Sequence, residues 1–479
     1  MYTVSQVALT TVYKGIMDME RYLRRPKAQP IICQGRYEQY GLRENPFPAS
    51  PFVNPESGDA RTNGDIYEPS VRQAEYDKVR RNFLEVALND PNHLRLGYIA
   101  DTSYIGRGNG KSAFIVNLQK KINQDFGSSV SNGLNKCFAV MFVPEPSGRT
   151  KTFESFVDLF VDAIFRTNVI EAALTTLRLE ALLALVKDFD IEAHFKDEND
   201  LQNKLGSHDW YAKVGVDLRQ LTQHILSSRF LQSLPREFPL SLPPMLWPQI
   251  VNQESFAAYY QALKRGEPRI EFAFSHLVNL FMAAGFNGAY VFVDDFERIP
   301  DFQTERQRRD FARWLRTCLF DGLCTNARTG FYAFILVLHA GVPRLIQGAW
   351  EESGIEHRAP IFYKGGTPKH LIQFESIKIE HVFLLLRKYL NNYRTPDAVS
   401  DSLAPFTEEA ATKMGELSDL NASKILKMAY EVLERAVDQS LPQIDVEFVS
   451  DAGGVTSFGQ KQVSGIYDAP TKDLMQEAK

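Results

Sequence analysis

Two short stretches of this chain hold the residue types that could do chemistry. One is the run 105–112, Ile-Gly-Arg-Gly-Asn-Gly-Lys-Ser, and the other is the aspartate pair Asp294-Asp295 at the end of an apolar stretch. Gly106, Gly108 and Gly110, with Arg107 and Asn109 between them, let successive backbone amides point inward as an anion-binding nest. A helix opening through Lys111, Ser112 and Ala113 would add its positive N-terminal end. Lys111 supplies an ammonium for the β and γ phosphates of ATP, and Ser112 a hydroxyl for Mg2+. The strict phosphate-loop pattern has glycine where Ile105 stands, with Gly106 and Gly108 supplying flexibility beside it. Opposite this loop, Asp294 would hold the magnesium and Asp295 would polarise an attacking water. Aspartate is one methylene shorter than the glutamate common at the second position, so turnover would be slow or shared with Glu297. The plain alternative is an acidic turn after a strand.

Both stretches need a parallel sheet to position them. Apolar runs of strand length stand at 94–100, 137–143, 289–293 and 331–338, and helical spacing separates them at 112–122 and 305–320. Continuous apolar strands alternating with helices imply an α/β fold with a parallel sheet covered on both faces and right-handed crossovers. Six segments follow: an N-terminal helical arm at 1–37, the first part of the nucleotide-binding core at 38–149, a mostly helical insertion at 150–285, the second part of the core at 286–378, a helical lid at 379–440 and a tail at 441–479. The arm reads as an amphipathic helix at 7–23, serving a partner or packed on its own domain. The tail carries one possible strand at 444–449.

At 479 residues, with 44% hydrophobic and 24% charged residues, the chain can build more than one core. A formal net charge of −5 excludes a global basic field, so any DNA contact would have to come from a local patch. The candidates are Arg21, Arg24 and Arg25, the pair Arg80-Arg81, and Arg306, Arg308 and Arg309; each is otherwise a solvated face. The four cysteines form no Cys-x-x-Cys pair and have no histidines at zinc spacing, so neither a metal site nor a disulfide framework is expected, and a cytoplasmic location fits. No signal pattern opens the chain, and no apolar run is long enough to cross a bilayer.

The order of the two motifs, the downstream strand and the helical lid resembles the AAA+ ATPases, in particular the branch with origin-recognition and transposition-regulator ATPases and related bacterial P-loop proteins. The resemblance covers about 38–440. It implies that Tyr40-Gly-Leu-Arg-Glu-Asn-Pro-Phe47 lies beside the adenine, the alternative being a loop anchored by Phe47. It places His339, at the end of the fourth strand, where the family has a polar γ-phosphate sensor, often asparagine; a hydrogen-bonded core histidine is the other reading. Leu417-Ser-Asp-Leu-Asn421-Ala-Ser-Lys424 is similar to the family's second sensor turn. Asn421 is kept and Lys424 stands in place of arginine, bringing charge without the planar fork; the alternative is a solvated lysine at a helix start. The resemblance implies an arginine supplied in trans, with Arg358 best placed and Arg344 next, and hence a homo-oligomer.

The expected function is an ATP-hydrolysing switch or motor acting on DNA or a DNA-bound partner, as in replication, transposition or defence against foreign DNA. The competing reading is a slow-turnover, nucleotide-gated scaffold that binds a protein partner through the helical insertion. A small-molecule kinase fits the tandem aspartates and lid less well.

Overall fold

A computed structural model describes residues 35–101, 108–241, 243, 251–361 and 367–452. Gly106, Arg107, Cys33, most of the N-terminal arm and the end of the tail lie outside the described residues.

A five-stranded parallel sheet organises the chain. Its strands are β1 (Leu96–Asp101), β2 (Cys137–Phe142), β3 (Gly288–Val293), β4 (Tyr332–Leu338) and β5 (Leu371–Phe374), in the order β2-β3-β4-β1-β5. The first, third and fourth are buried along their whole length, which explains their near-continuous apolar sequence. Alternate residues nonetheless divide between two cores. Tyr98, Val140, Val291 and Phe334 face one side, and Ile99, Ala139, Phe292 and Ile335 face the other. On the second side lie α1 (Gln73–Val79) and α2 (Lys111–Gln124).

The larger core faces a helical layer: α3 (Phe153–Arg166), α4 (Val169–Leu185), α5 (Leu277–Ala283), α6 (Glu305–Leu319) and α7 (Val342–Ser353). Its centre is aromatic. Phe160 of α3 meets Tyr332 edge-on at 5.0 Å and Phe334 at 5.4 Å. The span 150–285 therefore shares one apolar core with the sheet: α3 lies directly on β2 and β4, and α4 packs outside it. Within this span the helical run across 253–283 is broken at Gly266, whose φ of 93° leaves the helical region between Gln253–Ala262 and Glu267–Glu271.

A separate core belongs to α8 (Ile379–Tyr393), α9 (Glu408–Leu417) and α10 (Ala422–Asp438). Part of it comes from the other end of the chain: Tyr37, Tyr40, Leu42, Phe47, Ile66 and Val71 are buried in this cluster. Backbone bonds fix the attachment, from Arg43 N–H to Tyr393 O at 2.9 Å and from Thr395 N–H to Gly41 O at 2.9 Å. Phe47 is fully buried, stacked on Tyr389 at 6.1 Å and edge-on to Phe406 at 5.9 Å. Residues 446–452 are helical rather than extended, and Ile444 makes only an isolated bridge to Phe406, correcting the expected strand at 444–449. Asp445 explains the change: its carboxylate accepts the Phe448 N–H at 2.9 Å, an N-cap that starts a helix. Among the described residues, no helix is long and apolar enough to cross a membrane.

Replacing Phe47 with alanine should cost ~3–5 kcal/mol in the C-terminal helical core. Urea unfolding followed by hydrogen exchange should show protection lost first in α8 and α10, with the sheet retained.

Candidate functional site

Three strands end at one edge of the sheet and deliver the functional groups there, the edge where open α/β sheets bind ligands. β1 ends at Asp101 and leads to the glycine loop, β3 ends immediately before Asp294 and Asp295, and β4 ends immediately before His339. A cleft of about 600 Å³ opens between them, lined among others by Gly108, Asn109, Gly110, Lys111, Ser112, Ala113, Asp294, Asp295, Glu297 and His339. The structure thus brings the phosphate-loop residues and the aspartate pair together.

Gly108 (φ 112°) and Gly110 (φ 84°) both adopt backbone conformations open to glycine, and Gly110 is the N-cap of α2. The first turn of α2 therefore presents its free amides to the cleft. Lys111 forms an ion pair with Asp101, whose other carboxylate oxygen accepts from Asn109 Nδ2 at 2.9 Å. Asp101 was not singled out by the motifs. A carboxylate as the last residue of the strand before a glycine loop is the signal that marks it.

Asp294 is buried, and burial pushes its carboxyl above the ordinary value; a hydrogen bond from Ser112 opposes the shift and neighbouring Asp295 adds to it. The Ser112 hydroxyl and the Asp294 carboxylate thus converge as oxygen donors. Such a pair fits magnesium, which takes one or two protein oxygens and fills its remaining positions with water and phosphate. Asp295 sits in a left-handed turn (φ 46°) and donates its N–H to Asp294 Oδ1 at 3.0 Å, while its carboxylate is paired with Arg298. Glu297 is 4% exposed and lies 3.7 Å from His339 Nε2, so a third carboxylate faces the cleft beside the histidine.

The C-terminal helical core closes the cleft. Ser423 N–H donates to Gly108 O at 3.0 Å, and Asn421 Nδ2 donates to Asn109 Oδ1 at 3.3 Å. From the other side, Arg72 donates to Asn109 O at 2.7 Å and Glu375 O at 2.8 Å, and its guanidinium lies over Phe374. Asn109 thus joins β1, the C-terminal helical core and the β5 end. Next to the cleft, an apolar recess of about 90 Å³ is bordered by Ile66, Val71, Leu385 and Leu426. Phe52, 65% exposed, borders both spaces. Phe47, by contrast, is enclosed in the lid core, so of its two readings the geometry favours the anchored loop. Phe52 and Arg72 carry no motif of their own, which is why their part in the site was not read from the sequence; Ser423 lies within the 417–424 turn but was not singled out there.

Two arginines and a lysine stand elsewhere. Lys424, at the start of α10, forms an ion pair with Asp419 at 2.6 Å and is absent from the cleft lining; Asp419 adopts φ 54°, which turns the chain just before α10. Arg358 is exposed at the end of the short helix Ile355–Arg358. It is close enough to Arg95, the residue before β1, to add to the depression of that guanidinium, which burial causes first. That places Arg358 at the opposite edge of the sheet from the cleft. Arg344 is exposed in the first turn of α7.

No family model matches this chain, and no curated protein matches it. Among solved structures it is similar to the ORC2 protein of Aeropyrum pernix, determined as ADPNP–ADP complexes. The identity is 11% and the TM-score 0.41, over 80% of this chain and 67% of that one. A likeness that loose assigns no role to any residue.

A β-carbon on Gly108 would stand 2.6 Å from Asn421 Oδ1 and 2.7 Å from Ser423 Cβ. Gly108→Ala should therefore push the start of α10 off the loop, seen as faster hydrogen exchange there. Asp294→Asn should stabilise the protein without ligand by about 1 kcal/mol, because it removes a charge that burial disfavours. The sign follows from the raised carboxyl. Asp294 costs stability as pH rises past the ordinary carboxylate range, so the advantage of asparagine should vanish at low pH and grow toward neutrality in thermal melts.

Proposed function

We propose that this protein is an ATP-binding switch of the AAA+ type, with a magnesium–triphosphate taken up between the glycine loop and the aspartate pair. The observation that carries this reading is the convergence of Lys111, Ser112 and Asp294 on one cleft beneath the glycine-rich turn. Gly106 and Arg107 complete the proposed loop. The backbone amides and Lys111 would hold the phosphates, and Ser112 and Asp294 the magnesium, which offsets phosphate charge when bound. Phe52 and the apolar recess offer a place for the base. Asp295 and Glu297 are the two carboxylates available to orient water, with His339 positioned by Glu297.

Arg358 fits a role in trans, because it faces solvent at the edge remote from its own cleft. A homo-oligomer would bring it to a neighbour's phosphate. The C-terminal helices would act as the lid, since they touch the loop through Asn421 and Ser423; Lys424 could join them only by leaving Asp419.

Action on DNA or a DNA-bound partner is the leading role for such a switch, and the resemblance in sequence order is its support. One surface observation favours the alternative, a slow nucleotide-gated scaffold binding a protein partner through helices of the 150–285 span. Four of the five arginines of α6 stand in ion pairs, Arg306 and Arg313 sharing Asp310, Arg309 with Glu305 and Glu352, and Arg316 with Asp321, which leaves Arg308 as the remaining member of that basic run. Steady-state phosphate release with and without duplex DNA separates the two roles. The switch acting on DNA requires many turnovers per chain, stimulated by DNA and reduced at least tenfold in Arg358→Ala. Retention of one nucleotide with negligible release and no DNA effect would establish the scaffold instead.

A further inference from the structure

A second cleft lies away from the proposed nucleotide site. It has a volume of about 780 Å³ and opens between the start of α3, the helix Glu267–Glu271 and the length of α6. Phe153 and Trp314 form its apolar wall, stacked at 6.1 Å with their rings 10° apart. Glu154, Glu267, Glu271 and Asp310 line it against the cations Lys151 and Arg313, an excess of negative charge. Cys318 and Cys324 also line it.

The two thiols occupy a turn that holds them together. Cys318 is in the last turn of α6, and Cys324 is the N-cap of the short helix Thr325–Thr329. Cys324 Sγ accepts the Ala327 N–H at 3.4 Å, and the Cys324 thiol donates to the Cys318 carbonyl oxygen at 3.3 Å. Asn326 clamps the same turn, donating from Nδ2 to Cys318 O at 2.9 Å and accepting the Tyr332 N–H at 2.7 Å. We propose that Cys324 and Cys318 are a reactive thiol pair, attacking and resolving respectively, that exchanges with small cationic disulfides entering this acidic aromatic cleft.

The asymmetry of the pair suits these roles. A hydrogen bond from the Cys318 thiol draws the Cys324 thiol below its ordinary value, and the same contact followed by burial pushes Cys318 up. Cys324 is half-buried and reachable from the cleft, whereas Cys318 is 2% exposed and reachable mainly by its neighbour. The Cys324 thiolate attacks one sulfur of the disulfide, and the first thiolate leaves with a mixed disulfide formed on Cys324. The Cys318 thiol then loses its proton and attacks Cys324 Sγ, and the second thiolate departs. The protein gives up two electrons and two protons in forming a Cys318–Cys324 disulfide, and the reagent is reduced to two thiols. The carboxylates raise the local concentration of a cationic reagent and repel an anionic one. Cys137 serves as an internal contrast, since burial in β2 pushes its thiol up to about 12.

The test uses the full chain carrying Cys33→Ser, treated with limiting cystamine, neutral 2-hydroxyethyl disulfide or anionic oxidised glutathione and mapped by peptide mass spectrometry. Each rate is normalised to the same chain unfolded in urea. The wild-type pair should finish as an internal Cys318–Cys324 disulfide with no adduct retained, whereas Cys318→Ser and Cys318→Ala should both retain cysteamine on Cys324. Cystamine should outpace oxidised glutathione by about tenfold or more. The exposed double variant Glu267→Gln/Glu271→Gln should lose most of that preference while keeping its rate with the neutral reagent. An adduct retained on wild-type Cys324, or equal normalised rates for the three reagents, would overturn the proposal.

Discussion

A lysine ammonium held against a buried carboxylate at the end of the first strand is the interaction around which the site is organised. Lys111 pairs with Asp101, and the charge of Lys111 also acts on Asp294 across the cleft. Charges withdrawn from water must be paired and hydrogen-bonded, or they are expelled. Asp101 meets that requirement through Lys111 and Asn109, and Asp294 through Ser112 and the Asp295 amide. Such a set contributes little to stability by itself, and its value lies in fixing where an anion and a cation can be accepted.

The same few atoms connect the sheet with its two cores to the C-terminal helical core. The sheet and its helical layers form one unit, and the C-terminal helices with residues from 37–71 form another. Between them, Asn109 receives Arg72 on its carbonyl and Asn421 on its side chain, while Gly108 receives Ser423. Any ligand that reshapes the loop must therefore disturb its contacts with Asn421 and Ser423. That gives the proposed switch a physical route: lid position is coupled to loop conformation through hydrogen bonds rather than through the large cores, which cannot deform continuously.

The sheet was legible because four of its strands are buried on both faces, which leaves continuous apolar runs of strand length, and because glycines and carboxylates sit at their carboxyl ends. The fifth strand, Leu371–Phe374, has four residues with alternating burial at an edge, too little sequence for a periodic signal. The helices between 189 and 248 were hidden in a polar, proline-rich interval, where side-chain caps such as Asp197 and Asp217 start short helices that pattern alone does not reveal. In the site, Lys111, Ser112 and Asp294 follow from local motifs. Arg72 and Phe52 do not, since their importance comes from contacts across long sequence separations, whereas Asp101 lies within ten residues of its partners Asn109 and Lys111 and carries only the local signal of a carboxylate ending a strand before a glycine loop. Phe47 shows the converse: its segment is recognisable, but its ring is committed to a core that only the folded lid creates.

The central claim is that Lys111 and Asp294 face the same magnesium–triphosphate. Calorimetric titration of the folded 479-residue chain with ATP tests it most directly, run with magnesium and again with magnesium chelated. The account predicts saturable uptake that requires magnesium, is lost in Lys111→Ala, and is weakened at least tenfold in Asp294→Asn. Uptake indifferent to magnesium and to both substitutions, or no uptake by a chain whose circular dichroism shows it folded, would contradict it.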